Sequence, residues 1–196
     1  MMLCACAFTV HAQGNMSQTT DMKNSKKVLV VFFSRTGENY AVGNIEKGNT
    51  HIIAEIIAKE TGGKLFRIET VNPYPDEYKA CVEIAKTEKE NNARPEIKGD
   101  VKVEDYDIIF LGYPNWWGDM PMAVYTFIEK HDWQGKTVIP FCTHEGSGLG
   151  STGNKIEQAC KGSIVQKGLA IRGKTAQTSQ EEAQKAVDNW LKSLQL

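Results

Sequence analysis

The chain has 196 residues, 41% of them hydrophobic and 24% charged, which is typical of a globular domain with a sizeable core. Its formal net charge of −1 excludes the basic surface that nucleic-acid binding requires. The five cysteines form no C-x-x-C pair and the four histidines are scattered. We therefore expect neither a metal site nor a disulfide framework.

The first 26 residues differ in composition from the rest. Residues 1–12 carry no Lys, Arg, Asp or Glu, and Val10-His11-Ala12 resembles a cleavage site. We expect an export leader and a polar linker, hence a periplasmic protein; a cytoplasmic protein with an N-terminal tail is the alternative. The motif Leu3-Cys4-Ala5-Cys6 resembles a lipidation signal, which would anchor the chain to a membrane. The apolar run is too short to span a bilayer, so no transmembrane span is predicted.

Strand and helix signals alternate along the remainder of the chain. Apolar runs predict five strands, at Val28–Phe33, Lys64–Thr70, Ile108–Leu111, Thr137–Cys142 and Ser163–Ile171. Helices are predicted after them, beginning near Thr50, Asp76, Pro121, Ser151 and Ser179. This alternation implies right-handed crossovers and a parallel sheet with helices on both faces. Ligands of such sheets bind beyond the carboxyl ends of the strands, where the strand order reverses.

A hydroxyl-rich turn after the first strand indicates a phosphate site. Ser34-Arg35-Thr36-Gly37 follows the strand directly, and Gly48-Asn49-Thr50 opens the first helix. Backbone N–H groups and the helix dipole favour an anion at such a place. The two segments look like one cradle divided by an insertion, Glu38–Lys47; an ordinary helix-capping turn is the alternative. Neither a P-loop nor a G-x-G-x-x-G motif is present, which argues against nucleotide hydrolysis and a dinucleotide fingerprint.

Two further loops follow the third and fourth strands. The loop from Gly112 to Asp119 contains Trp116 and Trp117 side by side, and exposed aromatic rings at a strand end suit a flat ligand that stacks. The loop from Thr143 to Gly150 is rich in glycine, which lets backbone N–H groups approach a ligand closely. The alternative for the first of these loops is a Trp that merely covers the edge of the sheet. The alternative for the other is a flexible connector before a helix.

These segments together resemble the flavodoxin family, in particular bacterial flavodoxin-like proteins with Tyr-Pro-x-Trp-Trp and Pro-Phe-Cys-Thr-x-x-Gly-Ser-Gly loops. The matching stretches are Val28–Gly37, Gly48–Thr50, Tyr106–Pro121 and Lys136–Gly150. The resemblance implies a doubly wound, five-stranded parallel sheet of order 2-1-3-4-5 over residues 27–196, and non-covalently bound FMN as the cofactor.

The resemblance also implies which residues bind FMN. The phosphate would be held by Ser34, Thr36, Gly37, Asn49 and Thr50, with the backbone of Arg35. The isoalloxazine ring would be lined by Pro114, Asn115, Trp116 and Trp117, and closed on its other side by Thr143, Gly146, Ser147 and Gly148. His144 lies where it could donate to the reduced ring, although a solvated loop histidine is the alternative. No catalytic residue is assigned, and the insertion leaves open whether Asn39 or Asn49 is the Asn nearest to the phosphate.

An FMN-binding redox protein that mediates electron transfer is the leading hypothesis. One version is a carrier that docks on a redox partner protein. The other is an enzyme that takes hydride from NAD(P)H and reduces a small quinone-like acceptor. The rival from another class is a non-redox binding module that keeps the fold without the cofactor.

Overall fold

The described part of the chain, residues 26–194 with Met1 and Leu196, forms one main sheet and one small hairpin in the computed structural model. The strands are β1 (Val28–Phe33), β2 (Gly37–Asn39), β3 (Gly43–Ile45), β4 (Lys64–Ile68), β5 (Ile108–Pro114), β6 (Thr137–His144), β7 (Ile164–Val165) and β8 (Leu169–Arg172). The main sheet is parallel, with the order β4-β1-β5-β6-β7, and β8 also pairs with β6. Because β7 and β8 share the fifth position, the predicted order 2-1-3-4-5 is confirmed.

Helices cover both faces of this sheet, as predicted. They are α1 (Asn49–Thr61), α2 (Tyr78–Glu90), α3 (Met122–Ile128), α4 (Thr152–Ala159), α5 (Gly173–Thr178) and α6 (Gln180–Ser193). Side chains of β1 alternate between the two faces, because successive residues of a strand point in opposite directions. Val30 and Phe32 pack with α1 and α6, whereas Leu29, Val31 and Phe33 pack with α3 and α4. Burial on both faces explains why β1 is an uninterrupted apolar run.

The predicted fifth strand is wrong as a single element, because it is divided around Gly168. β7 pairs with Thr137 and Val138 of β6, and β8 pairs with the stretch beginning at Phe141. Pro140 lies between these two stretches and has no N–H to donate to a neighbouring strand. A Cβ on Gly168 would lie 2.8 Å from the Pro140 ring, so the chain passes this proline only where a side chain is missing.

Two predicted strand boundaries also need correction, and one helix was missed. β5 continues through Gly112 to Pro114, and β6 continues to His144, so residues assigned to the two loops lie partly in strands. Tyr113 is fully buried and belongs to the core rather than to the loop. The final helix is preceded by a separate short helix, α5, which was not predicted.

The insertion Glu38–Lys47 forms all of the β2–β3 hairpin except Gly37, and the hairpin is attached to the start of α2. The Glu38 amide donates to the Asp76 carbonyl at 2.8 Å, and the Tyr78 amide donates to Glu38 Oε2 at 2.9 Å. The helix predicted to begin near Asp76 begins at Tyr78, and Asp76 does not cap it: a carboxylate from the hairpin accepts its first amide. The insertion thus stabilises a neighbouring helix terminus.

The predicted leader falls on residues 1–26, and residues 2–25 lie outside the described part of the chain. Its export role therefore stays a prediction. Among the described residues, no helix combines the length and apolar character that crossing a membrane requires.

Candidate cofactor-binding site

The loops after β1, β5 and β6 meet at one edge of the sheet, around an open cleft. β4 lies on one side of β1 and β5 on the other, so the strand order reverses beside β1, where ligands of such sheets bind. The cleft has a volume of about 450 Å³, within the ~300–1,000 Å³ range of small-molecule sites. Its lining residues come from the hairpin, the first residue of α1, the start of α2 and the ends and loops of β5 and β6: Asn39, Tyr40, Asn49, Tyr78, Pro114, Asn115, Trp116, Trp117, Gly118, Thr143, His144, Glu145, Gly146 and Ser147. Ser34 and Thr36, which follow β1, line a separate, smaller cavity on the side of β4.

The two halves of the predicted phosphate cradle lie against each other. A Cβ on Gly48 would lie 2.2 Å from Ser34 Oγ and 2.4 Å from the Arg35 carbonyl oxygen, so only glycine permits this approach. Ser34 Oγ accepts a hydrogen bond from the His51 amide at 3.1 Å, in the first turn of α1. The insertion therefore loops out without separating the two segments.

The N-terminus of α1 is suited to an anion. Its first two amides, those of Asn49 and Thr50, have no intrahelical acceptor, and the positive end of the helix dipole lies there. The first turn contains no acidic residue that would compete with a phosphate.

A pair of buried hydroxyls connects this helix terminus to the third loop. Thr50 Oγ1 and Thr143 Oγ1 are 2.7 Å apart, and the two residues are only 1% and 3% exposed. One hydroxyl donates to the other, so one O–H of the pair has no acceptor among the described residues. A buried donor without a partner costs about 1–3 kcal/mol. A phosphate oxygen placed at the α1 terminus would satisfy it, so these residues fit the phosphate of FMN.

Arg35 contributes to the cradle through its backbone alone. Its guanidinium is buried and donates to the carbonyl oxygens of Pro75, Asp76 and Glu38, which fixes the segment before α2. Gly37 has a φ of +77°, and a Cβ there would lie 2.8 Å from Asp76 Oδ1. The Thr36 hydroxyl has no protein partner in the described residues and stays available to a ligand.

The two candidate asparagines have different roles. Asn39 donates through Nδ2 to the carbonyl oxygens of Thr36 and Gly37, at 3.3 and 3.1 Å, and so fixes the base of the hairpin. Asn49 is the first residue of α1, and its Oδ1 accepts from Gln177 Nε2 at 2.8 Å. Both line the cleft, but Asn49 is the one that lies at the helix terminus.

The double-Trp segment is a tight two-residue turn. Trp116 and Asp119 exchange two backbone hydrogen bonds, of 2.9 and 3.0 Å, around Trp117 and Gly118. Both central residues have positive φ, +55° and +74°. A positive φ is normal for glycine, but for Trp117 it costs about 1–2 kcal/mol. Such strain is typical of functional sites.

The two indoles are held in different ways. Trp116 is half-buried and packs edge-on against Phe33 and Tyr74, with ring centroids 5.3 and 5.1 Å away. Trp117 is 48% exposed and donates from Nε1 to the Val82 carbonyl oxygen at 3.2 Å. One indole is therefore anchored in the sheet edge and the other on α2.

Asn115 holds the second and third loops together. Its backbone N–H donates to the Thr143 carbonyl oxygen at 2.8 Å, and its side-chain Nδ2 donates to the Gly148 carbonyl oxygen at 3.0 Å. Its Oδ1 accepts from the Gly118 amide at 3.0 Å. The residue lines the cleft, and these bonds make it a positioning residue. Its predicted contact with a flavin ring stays a prediction.

His144 is held as a neutral imidazole at the end of β6. Its Nδ1 accepts from the Gly146 amide at 2.8 Å, which leaves the ring proton on Nε2. Burial, assisted by the charge of Arg172, lowers the pKa of His144. The third loop is further anchored by Glu145, whose Oε1 accepts from the Lys174 amide at 2.7 Å. Ser147 is exposed, and its side chain has no hydrogen-bond partner among the described residues.

Several cleft residues were not predicted. Tyr40 comes from the hairpin and stacks on Tyr78 of α2, with ring centroids 6.1 Å apart. Gly118 and Glu145 lie in the two loops that the sequence predicts to bind a ligand, but neither residue was itself predicted to do so. The sequence signal for Tyr40 was an aromatic residue inside the insertion. Tyr78 had no local signal, because α2 is brought to the cleft by its contacts with the hairpin and with Trp117.

Comparisons with known proteins agree with this geometry. A family model described as flavodoxin matches residues 27–193. The chain belongs to the flavodoxin family. No curated protein matches it. Among solved structures, a candidate flavoprotein from Bacteroides eggerthii DSM 20697 is 29% identical, with a TM-score of 0.68, covering 86% of this chain and 97% of that one.

Two further structures extend this likeness. A candidate flavoprotein from Bacteroides uniformis ATCC 8492 is 26% identical, with a TM-score of 0.67 and coverage of 83% and 98%. A flavoprotein from Lactobacillus acidophilus NCFM, solved in complex with FMN, is 22% identical, with a TM-score of 0.59 and coverage of 77% and 95%. At 22% identity, the likeness to this last protein shows a shared fold and nothing more. Family membership and the fit of the cradle support FMN as the cofactor of this flavodoxin-like chain.

Proposed function

We propose that this flavodoxin-family chain binds FMN non-covalently and transfers electrons. The observation that carries the proposal is the buried Thr50–Thr143 hydroxyl pair at the α1 terminus, which opens onto a cleft lined by tryptophan. FMN has a phosphate at one end, which suits the α1 terminus, and a flat ring at the other, which suits the cleft. When bound, FMN supplies one- or two-electron redox chemistry.

The residues of the chain divide the work of binding. The Ser34, Thr36 and Thr50 hydroxyls and the first amides of α1 hold the phosphate. Trp116 and Trp117 exclude water from the ring, and aromatic surfaces next to it disfavour added negative charge. The neutral His144 retains a proton on Nε2 that it can donate to an acceptor in the cleft.

Two physiological roles are compatible with this site. A carrier would pass electrons to a docked redox partner protein, whereas an enzyme would take hydride from NAD(P)H and reduce a quinone-like acceptor. The second role is favoured by an apolar cavity that adjoins the cleft. Steady-state oxidation of NAD(P)H in the presence of a quinone separates them, because a carrier will not exceed the rate of free FMN.

The decisive experiment for the proposal is an FMN titration of the purified protein, followed by absorbance and flavin fluorescence. We expect saturable binding with a perturbed flavin spectrum. A colourless protein that does not alter the spectrum of added FMN would instead identify a non-redox binding module.

We also propose that residues 1–26 comprise an export leader and a polar linker, on the basis of their composition. Expression of the full chain in a Gram-negative host, followed by fractionation and N-terminal sequencing, tests this. Mature protein that begins at Met1 in the cytoplasm would contradict it.

A further inference from the structure

A second cavity adjoins the cleft on the side of α2, and we call it the α2 pocket. It has a volume of about 280 Å³ and lies between α2 and the double-Trp turn. Five of its nine lining residues also line the cleft, so the two spaces are continuous. The residues that belong to the pocket alone are Arg35, Cys81, Val82 and Ala85.

The floor of the α2 pocket is one stripe of a helix. Tyr78, Cys81, Val82 and Ala85 are spaced i, i+3, i+4 and i+7, which places them on one face of α2. Burial raises the pKa of the Cys81 thiol to about 11, so the thiol is neutral at physiological pH. The floor is therefore uncharged.

The walls of the pocket are flat and fixed. The Trp117 indole is held by its bond to the Val82 carbonyl oxygen, and Trp116 is packed against Phe33 and Tyr74. Arg35 is the one charged residue of the lining, and four of its five N–H groups are bonded to backbone oxygens. The remaining Nη1 donor, which has no acceptor among the described residues, suits a neutral carbonyl oxygen.

The size of the pocket limits its ligand. Its volume equals that of close to nine water molecules at roughly 30 Å³ each, which is room for one or two fused rings but not for a nucleotide. Aromatic walls favour a planar ligand that stacks, the apolar floor disfavours burial of an ion, and the guanidinium of Arg35 disfavours a cation in particular.

We propose that the α2 pocket binds one small, uncharged quinone beside the flavin ring, and this inference rests on the proposed function. In the overall reaction the quinone gains two electrons and two protons and becomes a hydroquinone. NAD(P)H supplies hydride, and solvent supplies the second proton. The pocket thereby places the acceptor next to the cleft while leaving the phosphate cradle untouched.

Binding is tested by NMR on protein with labelled valine methyl groups, titrated with duroquinone. This quinone is fully substituted, so it does not add to the Cys81 thiol. We expect saturable shifts of the Val82 methyl resonances in oxidised, FMN-saturated protein without any reductant. A separate FMN titration of FMN-free protein distinguishes the two proposals. Failure of FMN to bind counts against the proposed function, whereas Val82 resonances that duroquinone leaves unmoved overturn the pocket.

A filling substitution gives a second test. Val82→Trp is expected to raise the KM for duroquinone at least tenfold while changing the FMN dissociation constant less than twofold. Glu83→Trp, an exposed neighbour on the same helix, is the matched control and should change neither. Ala85→Leu replaces Val82→Trp if the larger substitution prevents folding. If the filled variants lose FMN affinity instead of quinone affinity, the pocket belongs to the flavin ring and the inference is wrong.

Discussion

At the scale of single residues, backbone conformation decides what the double-Trp turn tolerates. Gly118 and Gly153 both have open space where a Cβ would be added, so packing does not distinguish them. They differ in backbone geometry, because Gly118 has a φ of +74° and Gly153 lies in α4.

We therefore expect Gly118→Ala to lower the free energy of unfolding by about 1–2 kcal/mol, since alanine resists a positive φ. Gly153→Ala should raise it by about 0.5–1 kcal/mol, because a helical glycine is entropically costly. Urea unfolding of the two variants measures both effects. Equal effects of the same sign would contradict the assignment of the turn.

His144 provides a pH-dependent prediction at the same scale. Because its pKa is lowered in the folded state, folding favours the neutral imidazole. This stabilisation is complete above about pH 6.5, the pKa of an unfolded histidine, and is lost as pH falls toward the folded pKa. His144→Asn keeps an acceptor for the Gly146 amide but does not titrate.

The variant should consequently lose less stability than the wild type when the pH is lowered from about 7 to 5. The pKa of His51 is also lowered by burial, but His51 is present in both proteins and cancels in the comparison. Chemical unfolding at several pH values measures the difference. Parallel stability curves for the two proteins would show that His144 is not held neutral by the fold.

At the scale of elements, the sequence predicted the strands better than the contacts between elements. The runs in β1 and β6 are apolar because helices cover both faces, and this signal is local. The break between β7 and β8 depends on Pro140, which lies in a different strand, so no local pattern could reveal it. The cap of α2 likewise comes from Glu38, which is 40 positions from its partner Tyr78.

The hairpin is expected to stabilise α2 through this contact. Glu38→Ala removes the acceptor of the Tyr78 amide and should lower the free energy of unfolding by about 1 kcal/mol. Hydrogen exchange at Tyr78 should accelerate more than exchange at Glu90, the other end of the helix. Glu46→Ala, an exposed acid in the same insertion with no side-chain hydrogen bond in the described residues, is the control. Equal effects of the two substitutions would show that the hairpin does not cap α2.

At the scale of the whole molecule, the site exists because three distant segments reach one sheet edge. The residue types of the cradle and the double-Trp loop were readable from the sequence, since each follows a strand with a clear apolar signal. The Thr50–Thr143 pair and the hydrogen bonds of Asn115 join segments far apart in the chain, so they required the fold. This arrangement separates recognition of the phosphate from recognition of the ring.

Comparison of FMN with riboflavin, which lacks the phosphate, tests that separation. We expect the wild type to bind FMN much more tightly, because only FMN uses the α1 terminus. Thr50→Val removes a charge-assisted donor and should weaken FMN binding by about 1–2 kcal/mol, roughly five- to thirtyfold, while leaving riboflavin affinity unchanged.

Trp116→Ala should instead weaken both ligands by a similar factor, because the indole lies beside the ring. Thr61→Val is the matched control for Thr50→Val: its hydroxyl donates to the Ile57 carbonyl oxygen at the opposite end of α1. It should alter stability without altering the preference for FMN over riboflavin. Isothermal titration of the four proteins with both ligands gives the full set of affinities. If Thr50→Val weakened the binding of FMN and of riboflavin by the same factor, the phosphate would lie away from the α1 terminus. Only the loss of a phosphate contact reduces the difference in affinity between the two ligands.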